Sequence, residues 1–456
     1  MADIELKNRG LFNHPASLVI TSFGIADIVG TLLLYLPWCH RGDLSLLDAL
    51  FTSTSAICVT GLTVVDTSTK FTLPGQWIIL LLIQVGGLGV MTFSVLFTMG
   101  IQKRLRLSSQ FLIQENFLHL KAATLKSLIA TILLFTLTCE GILALMMTVS
   151  FIPDVTKPGD ALFYGIFHAV SAFCNAGFCI LPSGLELYRY DFPVCLSIMV
   201  GIFLGSTGFA IIYELWQKLY GKSARQLSLH FKITMITHIL LMIAGTVGIL
   251  FWEYHNILDG LPFSSKILVS AFHSVSVRTA GFNTIPISQF TENSMYLMIL
   301  LMFIGACPSS TGGGIKTTTL AVLFATAWSR LRGFNNTVVF KRTVPESQVN
   351  RAVTLFILAV ITVLGAHMLL MSVGTKLTYD RAQGEFLAYL FEAVSGLGTV
   401  GLSTGITPEL GSAGKCTMIA IMFAGRVGLL SILSILTMAR GRNRQYHYST
   451  EKVMIG

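Results

Sequence analysis

Four short stretches of this 456-residue chain repeat one arrangement of residue types. Each begins with Phe-x-x-x-Ser: Phe51–Ser55, Phe167–Ser171, Phe272–Ser276 and Phe391–Ser395. Each then reaches a glycine followed by a large apolar residue, at Gly61-Leu62, Gly177-Phe178, Gly281-Phe282 and Gly401-Leu402. The serine-to-glycine distance is 6 residues in three copies and 5 in the third, so an offset helix end is expected there. Any one copy is ordinary, since residues i and i+4 share a helix face and glycine commonly follows an apolar helix. Four copies in step with the hydropathy of the chain, their glycines 116, 104 and 120 residues apart, point to a structural repeat.

The chemistry these stretches could do is that of main-chain oxygen. The tripeptides are Val59-Thr60-Gly61, Asn175-Ala176-Gly177, Thr279-Ala280-Gly281 and Thr399-Val400-Gly401. Glycine takes backbone angles closed to other residues, which lets carbonyl oxygens turn toward a common axis. Carbonyl dipoles gathered at one point can replace the water shell of a monovalent cation without burying a full charge. None of the four is the longer Thr-Val-Gly-Tyr-Gly of tetrameric potassium channels, so fewer oxygen rings and weaker discrimination are expected. Short helices ending at such a point aim their negative dipole ends inward, again favouring cations.

The elements that must position these loops follow from composition. Hydrophobic residues make up 53% of the chain and charged residues 12%, about half the usual share, and mean hydropathy is +0.72. This excludes a soluble enzyme and a disordered chain, and predicts a polytopic membrane protein. Apolar runs at about 16–38, 77–100, 127–151, 192–217, 232–252, 294–327, 351–373 and 414–439 read as eight spans. The first is too long for a signal-peptide core and is expected to be retained. Between spans lie shorter apolar stretches, about 45–60, 160–176, 263–278 and 384–398, which read as re-entrant pore helices. Eight cysteines without a C-x-x-C pair are expected as free, mostly buried thiols.

One set of connecting segments (1–15, 101–126, 218–232, 328–351 and 440–456) holds 20 Lys/Arg and 5 Asp/Glu, whereas the opposite set holds 9 and 14. The positive-inside rule puts the first set, with both termini, in the cytoplasm. No segment there is long enough for a globular domain, so any control by nucleotide would need a separate subunit. The expected architecture is an all-α polytopic membrane protein. It has four span–pore helix–span repeats with pseudo-fourfold symmetry around one central pore: 1–102, 103–222, 223–345 and 346–456.

The sixth span contains Phe303-Ile-Gly-Ala-Cys-Pro-Ser-Ser-Thr-Gly-Gly-Gly-Ile-Lys-Thr317. Pro308 and Gly312, Gly313 and Gly314 cannot sustain a regular helix, and a break over 305–317 reads as a flexible gate or a packing kink. It is not a phosphate loop, because Ile315 separates glycine from Lys316 and no strand precedes it. Arg426, mid-span, is an electrostatic barrier, a donor to carbonyls of the broken loop, or one half of an ion pair with Glu392 or Asp27. Lys316 lines the inner cavity or snorkels to the surface. Arg278 must point behind its loop, with Glu392 as a candidate partner. His168 and His273 read as helix-packing residues, with no second metal ligand at a usable spacing. An intramembrane hydrolase finds no support, since Asp27, Glu140 and Glu392 are isolated and neither H-E-x-x-H nor G-x-S-x-G occurs. A non-transporting scaffold would not require four in-phase glycines.

Cys174-Asn-Ala-Gly-Phe178, Arg278-Thr-Ala-Gly-Phe282, Gly398-Thr-Val-Gly-Leu402, Gly312-Gly-Gly-Ile-Lys-Thr317 and Gly425-Arg-Val-Gly428 resemble the Trk/Ktr/HKT superfamily of potassium transporters over nearly the whole chain. With eight spans and no additional N-terminal pair, the sequence is most similar to the membrane subunits of bacterial Ktr systems. The resemblance implies a homodimer in the bacterial plasma (inner) membrane, each protomer with its own pore. It implies a cytosolic KtrA-like ring of nucleotide-binding RCK (KTN) domains as partner, and no nucleic acid. It implies K+ as the transported ion at the filter carbonyls, with Na+ as a coupling or activating ion and no covalent cofactor; a less selective K+/Na+ channel of the same superfamily is the alternative. By position, Gly61, Gly177, Gly281 and Gly401 would be filter glycines, Gly305 to Lys316 the gate, and Arg426 the pore arginine. The short spacing in the third copy would be a family trait.

Overall fold

The computed structural model describes residues 15–101, 125–155, 157–181, 184–219, 227–373 and 384–429. The connecting segments 102–124, 220–226 and 374–383, and the end of the eighth expected span beyond 429, lie outside the described residues. Among the described residues fourteen α-helices of more than one turn carry the fold, besides a single turn at Thr67–Lys70. They are α1 (Pro15–Leu34), α2 (Leu46–Ile57), α3 (Leu73–Ile101), α4 (Leu125–Phe151), α5 (Pro158–Cys174), α6 (Phe192–Thr207), α7 (Phe209–Leu219), α8 (Leu229–Glu253), α9 (Phe263–Ser276), α10 (Glu292–Phe303), α11 (Thr317–Leu331), α12 (Glu346–Val373), α13 (Glu385–Gly398) and α14 (Ser412–Val427). A small antiparallel hairpin pairs Val338–Val339 with Arg342–Thr343.

The long helices are apolar all round because both faces meet something other than water. Within α4, α8 and α12 lie stretches long and apolar enough to cross a bilayer, and α6 with α7 makes a fourth, bent by 93°. Their outward side chains include Leu134, Leu145, Val149, Leu240, Phe251, Ile361 and Met368, all exposed. So large an apolar exterior belongs in lipid.

The short helices α2, α5, α9 and α13 are different. Ser45 caps α2 through the Asp48 N–H at 3.0 Å, and Pro158 opens α5. Each then turns inward and is buried to its end. Phe51, Phe167, Phe272 and Phe391 are all at most 1% exposed. Each short helix packs against the long helix before it, α1 on α2, α4 on α5, α8 on α9 and α12 on α13. The helix that follows each short one packs against the next short helix: α3 on α5, α6 on α9, α10 on α13, and α14 back on α2. The chain order therefore closes on itself. Close approach is allowed by glycines on the inner helices. A Cβ on Gly86, Gly205 or Gly425 would lie about 2.9 Å from the carbonyl carbon of Ile57, Phe173 or Leu397.

Two helices expected as single spans are interrupted. The run 192–217 is not continuous: it breaks at Gly208, whose φ of +92° glycine alone tolerates well. The Phe209 N–H is then supplied with an acceptor from outside, the Ser309 carbonyl at 2.9 Å. The run 294–327 is broken as expected, with irregular chain between Phe303 and Thr317.

Candidate functional site

All four glycine tripeptides come to one place. A Cβ built on Gly61 would lie 3.1 Å from the Cα of Gly177, on Gly177 3.0 Å from that of Gly281, on Gly281 3.0 Å from that of Gly401, and on Gly401 3.1 Å from that of Gly61. The nearest atoms to those positions are the carbonyl oxygens of Ala176, Ala280, Val400 and Thr60, each on the neighbouring loop. None of these four carbonyls has a hydrogen-bond donor among the described residues. The glycines have φ of +91°, +69°, +77° and +96°, a region costly for any residue with a Cβ. Two residues earlier, Val59, Asn175, Thr279 and Thr399 are also left-handed, at +56°, +60°, +75° and +49°. Such strain costs about 1–3 kcal/mol per residue and persists only where the surroundings enforce it.

The enforcement comes from the repeated serines. Thr60, Ala176 and Val400 each donate their N–H to the carbonyl of the serine five residues back, Ser55, Ser171 and Ser395, at 2.7–2.9 Å. In the third loop Ala280 reaches Ser276, four residues back, at 2.9 Å. The missing residue is thus absorbed by a tighter turn, and α9 ends at the serine itself. The serine hydroxyls add a second tie. Ser55 and Ser395 accept from the N–H of Gly61 and Gly401, both at 3.1 Å. Ser171 donates to the Phe178 carbonyl at 2.9 Å, and Ser276 to that of Phe282. The sequence shows these serines, but not that they hold the loops open.

Beside the ring lies the irregular chain of 304–316. A Cβ on Gly312 would stand 3.1 Å from the Thr279 Cβ, and one on Gly313 3.1 Å from the Thr399 Cβ. Gly314 packs on Gly305, with Gly305 Cα at 3.2 Å from its notional Cβ. Asn175 donates to the Thr311 hydroxyl at 3.2 Å. The loop is also sewn to the bent α6–α7 pair: Cys307 N–H to Ser206 O at 3.1 Å, Thr311 N–H to Gly205 O at 3.2 Å, and the Phe209–Ser309 bond. The Pro308 carbonyl sits against Gly208. The only sequence signal for this second partner is Gly205-Ser-Thr-Gly208 inside an apolar run.

Three cations attend the loop, and one of them, Arg278, differs from expectation. Arg426 forms no pair with Glu392 or Asp27; its guanidinium donates to the carbonyls of Thr311 and Gly86, the second of the roles open to it. Arg278 does not reach Glu392 either. It donates to the Gly305 carbonyl at 3.0 Å and to the His238 carbonyl at 2.9 Å, with His238 Nδ1 at 2.8 Å. Glu392 is occupied elsewhere, by Ser403, Thr404 and Thr407. A guanidinium has five planar donors and fits several carbonyls better than one carboxylate here. Lys316 donates to Gly312 O at 2.7 Å and Gly313 O at 3.4 Å. His238 carries no sequence signal, being a histidine in an apolar stretch of α8 with no motif around it.

Chemically, the ring offers unpartnered carbonyl oxygens, and the tripeptides add buried side-chain oxygens, Thr60 Oγ1, Asn175 Oδ1, Thr279 Oγ1 and Thr399 Oγ1, without hydrogen-bond partners among the described residues. A desolvated oxygen cluster with no donor is matched to a dehydrated cation. Among the described residues no group of His, Cys, Asp and Glu could hold a metal ion. The eight cysteines are free; Cys416 is exposed, and Cys139 and Cys179 are half-buried.

The TrkH family, described as a cation transport protein, matches residues 7–446. The chain belongs to this family. A relative from Vibrio alginolyticus, Ktr system potassium uptake protein B, is 36% identical over 99% of this chain and 96% of its own length. The protein of the same name from Bacillus subtilis is 36% identical over 97% of each chain. Potassium/sodium uptake protein NtpJ of Enterococcus hirae is 34% identical over 97% of each. The crystal structure of the potassium transporter TrkH from Vibrio parahaemolyticus shares the fold, with a TM-score of 0.70 at 18% identity over 96% of this chain and 87% of that one.

Proposed function

We propose that this chain carries potassium into a bacterial cell through the four-glycine ring, which acts as a selectivity filter. The observation that carries the reading is the closed circuit Gly61–Gly177–Gly281–Gly401, each glycine left-handed and each beside a carbonyl oxygen of the next loop. The potassium-uptake relatives support the choice of ion. In this reading Val59, Thr60, Gly61, Asn175, Ala176, Gly177, Thr279, Ala280, Gly281, Thr399, Val400 and Gly401 form the filter. The four span–pore helix–span repeats surround it with pseudo-fourfold symmetry. The segment from Gly305 to Lys316, with Pro308 and Gly312–Gly314, is the gate, and Arg426 and Lys316 hold it shut. Charge asymmetry puts both termini in the cytoplasm, where a nucleotide-binding ring would act on a homodimer of this chain. Sodium dependence belongs to the same proposal. A second reading, a less selective K+/Na+ pathway, is favoured by the four unlike tripeptides and by the potassium/sodium relative.

The test is rescue of a potassium-uptake-deficient bacterium at low external potassium, followed by tracer influx into liposomes with K+ and Na+ varied independently. Rescue that is lost on Gly281→Ser or Gly281→Asp supports the filter. Rescue indifferent to both substitutions rejects it. Influx of K+ and Na+ at equal rates selects the second reading.

A further inference from the structure

The residue after each repeated phenylalanine occupies one common place, at Thr52, His168, His273 and Glu392. All four are buried. Three of them face the limb of chain that leaves the glycine. His168 spends Nδ1 on the Tyr164 carbonyl at 2.7 Å, leaving Nε2 at 3.1 Å from Cys179 Sγ, two residues beyond Gly177. His273 Nε2 lies 3.2 Å from Thr284 Oγ1, three residues beyond Gly281. Glu392 does most. Its carboxylate accepts from Ser403 Oγ at 2.6 Å, Thr404 N–H at 3.0 Å, Thr404 Oγ1 at 3.4 Å and Thr407 Oγ1 at 2.7 Å. Ser403 and Thr404 stand two and three residues beyond Gly401. Ser403 Oγ in turn takes the N–H of Gly405 at 2.9 Å, which is left-handed at +98°. In the first copy the hydroxyl of Thr52 instead returns to its own helix, on the Asp48 carbonyl at 2.9 Å.

Resting on the filter reading above, we propose that Glu392 is a specificity-determining positioning residue: by bracing Ser403, Thr404 and Thr407 it holds Thr399-Val400-Gly401 at the width that prefers K+ to Na+. His168 and His273 do the same for the second and third loops through one contact each. The serines on the helices fix where each loop enters the ring, and these residues fix how it leaves. A loop tied at both ends cannot draw inward around a smaller ion. Glu392 acts through geometry and not through its charge, because every contact it makes is as an acceptor for a donor of the fourth loop.

The experiment measures K+ and Na+ tracer influx into liposomes holding the purified full chain. Glu392→Leu keeps the volume and removes the acceptors; the K+/Na+ influx ratio is expected to fall about tenfold, since four donors of the fourth loop lose their acceptor together. Glu392→Gln keeps an acceptor oxygen and can donate its amide to Thr407 Oγ1, so the ratio stays within about twofold of the parent. Thr407→Val, a milder change that decides the question where the leucine variant does not fold, lowers the ratio about threefold, and Thr407→Ser restores it. An unchanged ratio in the folded leucine and valine variants overturns the proposal. A fall in Glu392→Gln as large as in Glu392→Leu overturns it too, because charge would then be the cause. The filter reading fails separately, with Glu392 intact, where Gly281→Ser leaves the parent ratio unaltered.

Discussion

The glycine ring and the broken loop beside it are both irregular backbone buried inside protein, yet their oxygens are in opposite states. In the ring, the carbonyls of Thr60, Ala176, Ala280 and Val400 meet no donor among the described residues. In the loop, the carbonyls are taken: Gly305 by Arg278, Thr311 by Arg426, and Gly312 and Gly313 by Lys316. Where each loop enters the ring it is held from behind by serine hydroxyls and N–H groups, which are neutral. The loop is held through its own oxygens by cationic side chains. Irregular backbone at membrane depth needs its polar groups satisfied or wetted. The first arrangement leaves its carbonyls bare, and the second satisfies them with protein.

The contrast between ring and loop can be tested in several places. The largest effect is expected from Gly281→Asp, which puts a Cβ at a φ of +77° and an unpaired carboxylate against Gly401. Potassium influx should fall about a hundredfold or more, because an uncompensated buried charge is severely unfavourable; undiminished influx would remove the ring from the ion path. Deleting Gly312–Gly314 should raise influx about tenfold by removing the plugging segment, if opening is a population shift of the loop. A folded deletion variant with equal or lower influx would show that the loop does not gate. Arg426→Gln shortens the reach to Thr311 and Gly86 and should raise influx a few-fold, about 3–5 times, by freeing one anchor. Liposome influx at fixed K+ decides it, and no change means that the arginine does not hold the loop closed.

Smaller effects refine the same contrast. Ser395→Ala removes the acceptor for the Gly401 N–H and should lower the K+/Na+ influx ratio about threefold while leaving total influx within about twofold. A changed total with an unchanged ratio would place the serine in gating instead. Lys415→Met breaks the 2.6 Å contact with Asp48 between the starts of α14 and α2. Both side chains are partly exposed, so a cost of about 1 kcal/mol or less in thermal stability is expected, with influx unaltered. A large loss of influx would mean that the junction between α14 and α2 matters to the ring.

Much of this was legible in the residues, for identifiable reasons. The shorter apolar stretches locate α2, α5, α9 and α13 to within three residues, because a helix that ends inside protein must be apolar over much of its surface. The break near Pro308 is legible because proline and consecutive glycines remove helical hydrogen bonds and stiffness. The break at Gly208 was not: one glycine in an apolar run is usually tolerated, and here the bend is fixed by Ser309 and Pro308, about a hundred residues away in the chain. Arg278 lacks its expected partner Glu392 for a similar reason, whereas Arg426 takes the carbonyl-donor role that its place in a span already offered. Sequence offers charge complementarity as the only guide, whereas the fold supplied bare carbonyls nearer by and filled Glu392 with hydroxyls.

The sequence alone settled that this chain lives in lipid, that it repeats a short buried helix and glycine turn, and that one inner segment cannot be helical. These follow from hydropathy and backbone stereochemistry, which are local. Only the tertiary structure decided that the fourth turn closes on the first, which oxygens stay bare and which are occupied. Those depend on distances between segments a hundred or more residues apart, and no local property of a chain encodes them.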